Sequence, residues 1–205
     1  ATASAGATSK TYEVKVDALA TSQTNSGTLL SKTDASVVSQ GTNEFNITIG
    51  GKTTKVSAVI SENDTNDQAL TKLKDAINNA KTGVTATIVT DDTGKKKLEL
   101  RSDKTGTDQA FEVEDVTGNA ISATGVKNAT QLASNASYSV NGGETLTSQS
   151  NTIELEKGKV TATLKAPTTE AVSIQVKPDN DKVISQVKDL VSSYNTMYSR
   201  LKEAG

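Results

Sequence analysis

The chain has no cysteine, no histidine and no tryptophan, and only two prolines and two phenylalanines. Each absence closes a line of chemistry. Without Cys there is neither a thiol nucleophile nor a disulfide; without Cys and His there is no zinc site of the usual kind; without His there is no imidazole acid or base. A cysteine-free chain also suits life outside the cytoplasm without disulfides. Of 205 residues, 34% are hydrophobic and 3% aromatic. Aromatic side chains bury the largest apolar areas, so a core lacking them is thin and built from Val, Ile, Leu and Ala. Two small cores fit that supply better than one large core. The net charge is −2, with both signs interspersed and no basic patch, which argues against a nucleic-acid partner. No apolar run approaches a membrane span, and no cleavable signal sequence opens the chain, so no membrane partner is expected. The single methionine is Met197, and the sequence reads as a piece excised from a longer protein.

What the chain has in excess is hydroxyl. Thr occurs 31 times and Ser 21 times, a quarter of all residues. Thr favours strands, and Ser favours turns and caps, a composition that leans toward β-structure with polar outer faces.

Residues 1–10 (ATASAGATSK) are small and polar and read as a flexible linker. Tyr12, Val14 and Val16 then alternate with charged residues, the pattern of a half-buried strand. Residues 21–43 read as loop with one short strand. Phe45, Ile47 and Ile49 alternate up to Gly50-Gly51, a hairpin turn into a strand carrying Val56. After the polar run SENDTND (61–67), Leu70, Leu73, Ile77 and Ala80 mark one face of a helix. Thr65, Asn66 and Asp67 offer N-caps, and Gly83 the C-terminal stop. Val84, Ala86 and Ile88 resume period two, placing Thr85 and Thr87 outside. A turn at 92–95 leads to Leu98 and Leu100, and Phe111 and Val113 form one more strand. Residues 116–134 read as loose chain. Strands follow around Tyr138 and Val140, Ile153 and Leu155, Val160 to Leu164, and Val172 to Val176, the last stopped by Pro178. The strand at 11–17 has no partner nearby in sequence and is expected to pair with this later sheet.

From Asp179 to Glu203 the sequence reads as one helix, with Asp179 and Asp181 suited to its N-terminus. Val183, Val187, Leu190, Tyr194, Met197 and Leu201 follow spacings of four and three, a coiled-coil seam, and Ile184, Val191 and Tyr198 add a second stripe. A helix packed on its own domain shows such a stripe too. No second long helix occurs in the chain, which favours a partner from a missing segment or another subunit.

Two stretches resemble sites of known chemistry. Gly51-Lys52-Thr53 resembles the end of a phosphate-binding loop, but Asn46 stands where its first glycine belongs, and no helix follows. Glu62, Asp64 and Asp67 cluster as calcium ligands would, without the mid-loop glycine and closing glutamate. Nothing brings two carboxylates together for glycoside hydrolysis, and no G-x-S-x-G elbow is present. The reading is a protein that is not an enzyme, with no cofactor, no metal and no catalytic residue.

Four stretches resemble a known family, the bacterial flagellar filament capping protein or hook-associated protein 2: TYEVKVDALATSQ (11–23); Phe45 to Val89, ending INNAKTGVTATIV; YSVNGGETLTSQSNTIELEKGKVTATLKA (138–166); and AVSIQVKPDNDKVISQVKDLVSSYNTMY (171–198). They occur in family order over most of the chain. Lys159 departs from the family's Gly-Val-Thr at that turn. The resemblance implies a mainly β (α+β) head fragment with two small β-rich domains, one inserted into the other, and a C-terminal amphipathic helix beginning a coiled-coil leg. Residues 11–30 and 131–178 would form the discontinuous domain, 31–130 the insert and 179–205 the leg helix. It further implies an extracellular place at the flagellum tip, a ring-shaped homo-oligomer, flagellin subunits as partners and a role in ordered flagellin polymerisation. A surface-exposed adhesive or host-binding domain is the alternative, with host mucin or glycan as its ligand.

Overall fold

The computed structural model describes residues 1–178 and 180–203, with the side chains of 180–183 and 201–203 excepted. The chain is mainly strand, ending in one long helix, and its buried apolar residues fall into two separate clusters.

The first cluster is built between residues 38 and 126. β4 (Gly41–Ile49) and β5 (Lys52–Ile60) form a hairpin in which Phe45 pairs with Val56, and β8 (Phe111–Thr117) lines the other side of β4. Gly50 and Gly51 form its two-residue turn with φ +56 and +75, a left-handed pair that residues with a Cβ enter only at a cost. α1 (Asn66–Ala80) starts on a capping box: the Thr65 hydroxyl accepts from the Gln68 amide, and the Gln68 side chain accepts from the Thr65 amide. It buries Ala69, Leu70, Leu73 and Ile77 against the sheets. β6 (Val84–Thr90) and β7 (Lys96–Ser102) complete the cluster, with Val84, Ala86, Leu98 and Leu100 inward and Thr85 and Thr87 outward.

The second cluster joins two sheets. In one, β2 (Thr11–Ala18) lies between β9 (Ala136–Val140) and β13 (Val172–Gln175), and β10 (Leu146–Ser148) flanks β9. The opening strand thus pairs with the late ones, as its lack of a local partner predicts. The other sheet holds β11 (Thr152–Glu156) and β12 (Val160–Thr163). Tyr12, Val14, Val16, Ala136 and Tyr138 from the first sheet meet Ile153, Val160, Ala162 and Leu164 from the second. The Asn151 side chain ties the sheets together, accepting from the Ala20 amide at 2.7 Å and donating to the Ala20 carbonyl at 2.9 Å.

Four local expectations fail. Residues 1–10 are not a free linker: β1 (Thr2–Ala3) pairs with β12, and Thr8 binds Glu156. Polar contacts hold the segment there, the Thr2 hydroxyl lying 2.8 Å from that of Thr161. The short strand expected within 21–43 is present as β3 (Thr24–Ser26), but it pairs with β7, so residues 24–26 join the first cluster although they lie within the stretch 11–30 assigned to the discontinuous domain. Its Asn25 is fully buried and donates to the carbonyls of Val126 and Lys127. In the stretch read as loose, α2 (Ala120–Thr124) buries Ala120, Ile121 and Thr124, its first turn held by the Asp115 carboxylate accepting from the Ile121 and Ser122 amides. Finally, α1 ends on Lys81 in the left-handed conformation (φ +48), and Gly83 sits beyond the cap at φ +98. The Asn78 side chain, bonded to β6, fixes this exit in place of a glycine cap.

The departure at Lys159 is absorbed by a three-residue turn, 157–159, with Gly158 at φ +67 and the strand register shifted between Glu154 and Glu156.

Candidate functional site: an uncovered helix face

α3 (Asn180–Glu203) is a 24-residue helix, about 36 Å long at 1.5 Å per residue. At 100° per residue, Ile184, Val187, Leu190, Val191, Tyr194, Met197 and Tyr198 fall on one stripe roughly 140° wide. The remaining described positions of 184–200 are Ser, Thr, Asn, Gln, Lys, Asp and Arg. Every side chain from 184 to 200 is exposed, Leu190 by 70% and Tyr198 by 61%. No charged residue interrupts the stripe, and no apolar surface of either cluster covers it. Val187, Leu190, Tyr194 and Met197 of the expected seam therefore lie together in the open. Val183 and Leu201 belong to the helix, but their side chains, like Asp179 and the side chain of Asp181, lie outside the described residues. Fully covering a side chain such as Leu190 or Met197 is worth about 1.5–3 kcal/mol. A face of this size is a strong driver of association.

The other sequence candidates are structural. Gly51-Lys52-Thr53 is the turn and opening of β5 and so offers no helix N-terminus to a phosphate. In the acidic run, the largely covered Asp64 carboxylate accepts from the Ser61 amide and pairs with Lys72, while Asp67 pairs with Lys96. The Lys72 ammonium, then the Ser61 amide, holds Asp64 below the usual carboxylate range against the opposing effect of burial. Asp91 is lowered in the same way, first by the Thr93 hydroxyl. Among the described residues no group of three or more acidic side chains is placed to hold a metal ion. Among the same residues no helix is long and apolar enough to cross a membrane. Sequence reasoning missed Gln23, whose buried side-chain amide donates to the Phe111 carbonyl at 2.7 Å and accepts from the Phe111 amide at 3.1 Å, so completing the β8 edge. A lone Gln in a Ser/Thr-rich stretch carries no signal of such a role.

The class these features define is a β-rich protein whose outstanding surface, among the described residues, is an uncovered apolar helix face. Comparison with known proteins narrows this class. Residues 133–204 match the family model described as flagellar hook-associated protein 2 C-terminus. Over 99% of its length the chain is 30% identical to the lateral flagellar hook-associated protein 2 of Vibrio parahaemolyticus and 28% identical to the B-type flagellar hook-associated protein 2 of Pseudomonas aeruginosa. It covers 48% and 46% of those proteins, so the chain spans about half the length of the curated relatives it matches. The crystal structure of the D1-D2-D3 domains of the flagellar cap protein FliD from Escherichia coli superposes with a TM-score of 0.78 at 25% identity, covering 95% of this chain and 61% of that one. In family-model match, sequence and fold, the chain is similar to the hook-associated protein 2 type of flagellar cap protein.

Proposed function

We propose that this chain is the head region of a flagellar filament cap, a non-catalytic assembly factor at the extracellular tip of the flagellum. There, copies of the complete protein form a ring and promote the ordered addition of flagellin. The observation that carries the reading is the uncovered stripe on α3, within the segment that matches the family model. Val183, Val187, Leu190, Tyr194, Met197 and Leu201 form its seam, and the helix begins a coiled-coil leg closed by a helix from the rest of the protein. The head is organised as two β-rich domains, one inserted in the other, a division supported by the two separate clusters. The adhesive alternative, with a mucin or glycan ligand, has less behind it: among the described residues the sheets are rich in hydroxyls, but their aromatics, Tyr12, Phe45, Phe111 and Tyr138, are buried and offer no platform for a sugar ring.

This chain contributes no native cysteine to a cross-linking test. A single cysteine replacing Leu190 or Met197 in the full-length protein is expected to cross-link to a cysteine scanned along a second helix. Leu190→Asp combined with Met197→Asp is expected to shorten filaments and raise secreted flagellin monomer. Normal filaments from the double variant, with no cross-link from either position, would refute the proposal.

A further inference from the structure

Glu156 closes β11 at the register shift, and its side chain, only 19% exposed, gathers groups from both sheets of the second cluster. It accepts from the Thr8 amide at 3.0 Å and from the Thr8 hydroxyl at 3.1 Å. The Tyr12 hydroxyl on β2 lies at 3.3 Å and the Lys159 ammonium at 3.3 Å. The Lys159 carbonyl in turn accepts from the Ser4 amide at 2.8 Å. On the other side, the Lys10 carbonyl accepts from the Val176 amide at 2.9 Å, so the stretches leading into β2 and out of β13 run side by side. Residues 2–8 leave that pair, cross to the second sheet and become its edge. β1 has only two residues, too few to hold an edge by itself.

We propose that the Glu156 carboxylate is a latch that fastens residues 2–8 across the two sheets and thereby fixes the direction in which the chain runs into the head. Only the ionised carboxylate is an acceptor at both oxygens, and four donors surround it. The Thr8 amide, with smaller help from Lys159 and the Thr8 hydroxyl, holds its pKa below the ordinary glutamate value against the opposing effect of burial. A lowered folded pKa means the latch is fully closed above the ordinary range and opens as pH falls through the folded value. The charged groups around it are Lys159 across the turn, Lys10 over the Tyr12 ring at 4.7 Å, and Glu154 and Lys157 on its own strand and turn.

Amide exchange followed by NMR near neutral pH tests this in the chain as it stands. In Glu156→Ala the Ser4 and Thr8 amides are expected to exchange about tenfold faster, the effect of losing roughly 1.4 kcal/mol of local hydrogen bonding, with Ile153 and Ala162 unchanged. Glu156→Gln, which keeps an acceptor oxygen, is expected to fall between. Equal protection of Ser4 and Thr8 in all three proteins overturns the latch, and so does a parallel loss at Ile153 and Ala162. If Glu156→Ala does not fold, Thr8→Ala replaces it: faster exchange at Ser4 supports the proposal, and no change refutes it.

Discussion

Asn78 on α1 and Ala86 on β6 exchange two hydrogen bonds: the Asn78 side-chain amide donates to the Ala86 carbonyl at 3.0 Å, and its oxygen accepts from the Ala86 amide at 2.8 Å. The helix is thus stitched to the strand that follows it, across the turn at Lys81 and Gly83. Asn78→Ala is expected to lower stability by about 1–2 kcal/mol, two net hydrogen bonds less a gain of about 0.5 kcal/mol in helix propensity. Asn78→Asp keeps the acceptor, loses the donor and puts a negative charge near the helix C-terminus, so it is expected to be no better. Urea unfolding midpoints measure both.

Two glycines should respond in opposite degree to the same substitution. A Cβ on Gly27 would meet the Thr124 carbonyl oxygen at 2.4 Å and the Leu98 carbonyl oxygen at 2.9 Å, both backbone atoms of packed elements. Gly94, at φ +81 in the turn between β6 and β7, has open space around it. Gly27→Ala is expected to cost more than about 2 kcal/mol through forced displacement of α2 or β7. Gly94→Ala costs only the left-handed strain of about 1 kcal/mol. Thermal melts of the two variants side by side decide the matter.

The Asp64–Lys72 pair gives the first cluster a dependence on acid. The folded pKa of Asp64 is lowered, so its contribution is fully present above the ordinary carboxylate range, near 4, and is lost as pH falls through the folded value. At pH 7 Asp64→Asn is expected to melt below the parent chain. Near pH 2 the two melting temperatures should converge. A gap that stays constant across this range would show that the carboxylate's charge contributes nothing.

Strands with one wet face were legible because burial imposes period two: Phe45, Ile47, Val56, Val84, Ala86, Leu98 and Leu100 all face inward as their spacing requires. α1 was legible for the same reason at period 3.6, and Thr65, one of its three candidate caps, is the one used. What stayed hidden depends on polar groups that bond far along the chain. Gln23, Asn25 and Asp115 hold the β8 edge, β3 and α2 through side chain to backbone bonds, and these leave no periodic trace. β1 and α2 are too short to show a period at all. The stripe on α3 could be read at once, but a stripe names no partner. The tight exit of α1 drew attention to Gly83, when the residue in the left-handed cap is Lys81.

Thr21 and Ser134 exchange backbone hydrogen bonds at 2.9 and 3.2 Å, and their hydroxyls lie 2.8 Å apart. The whole first cluster lies in the chain between them. In the unfolded state, bringing β2 to β9 means closing that long loop, an entropic cost that grows with the logarithm of its length. Once the first cluster has formed, Thr21 and Ser134 are already neighbours, and the later sheet closes as if across a short turn. The expected consequence is an order of events in time, which pulse-labelled amide exchange would check: the Phe45 and Leu100 amides should gain protection before those of Val14 and Tyr138.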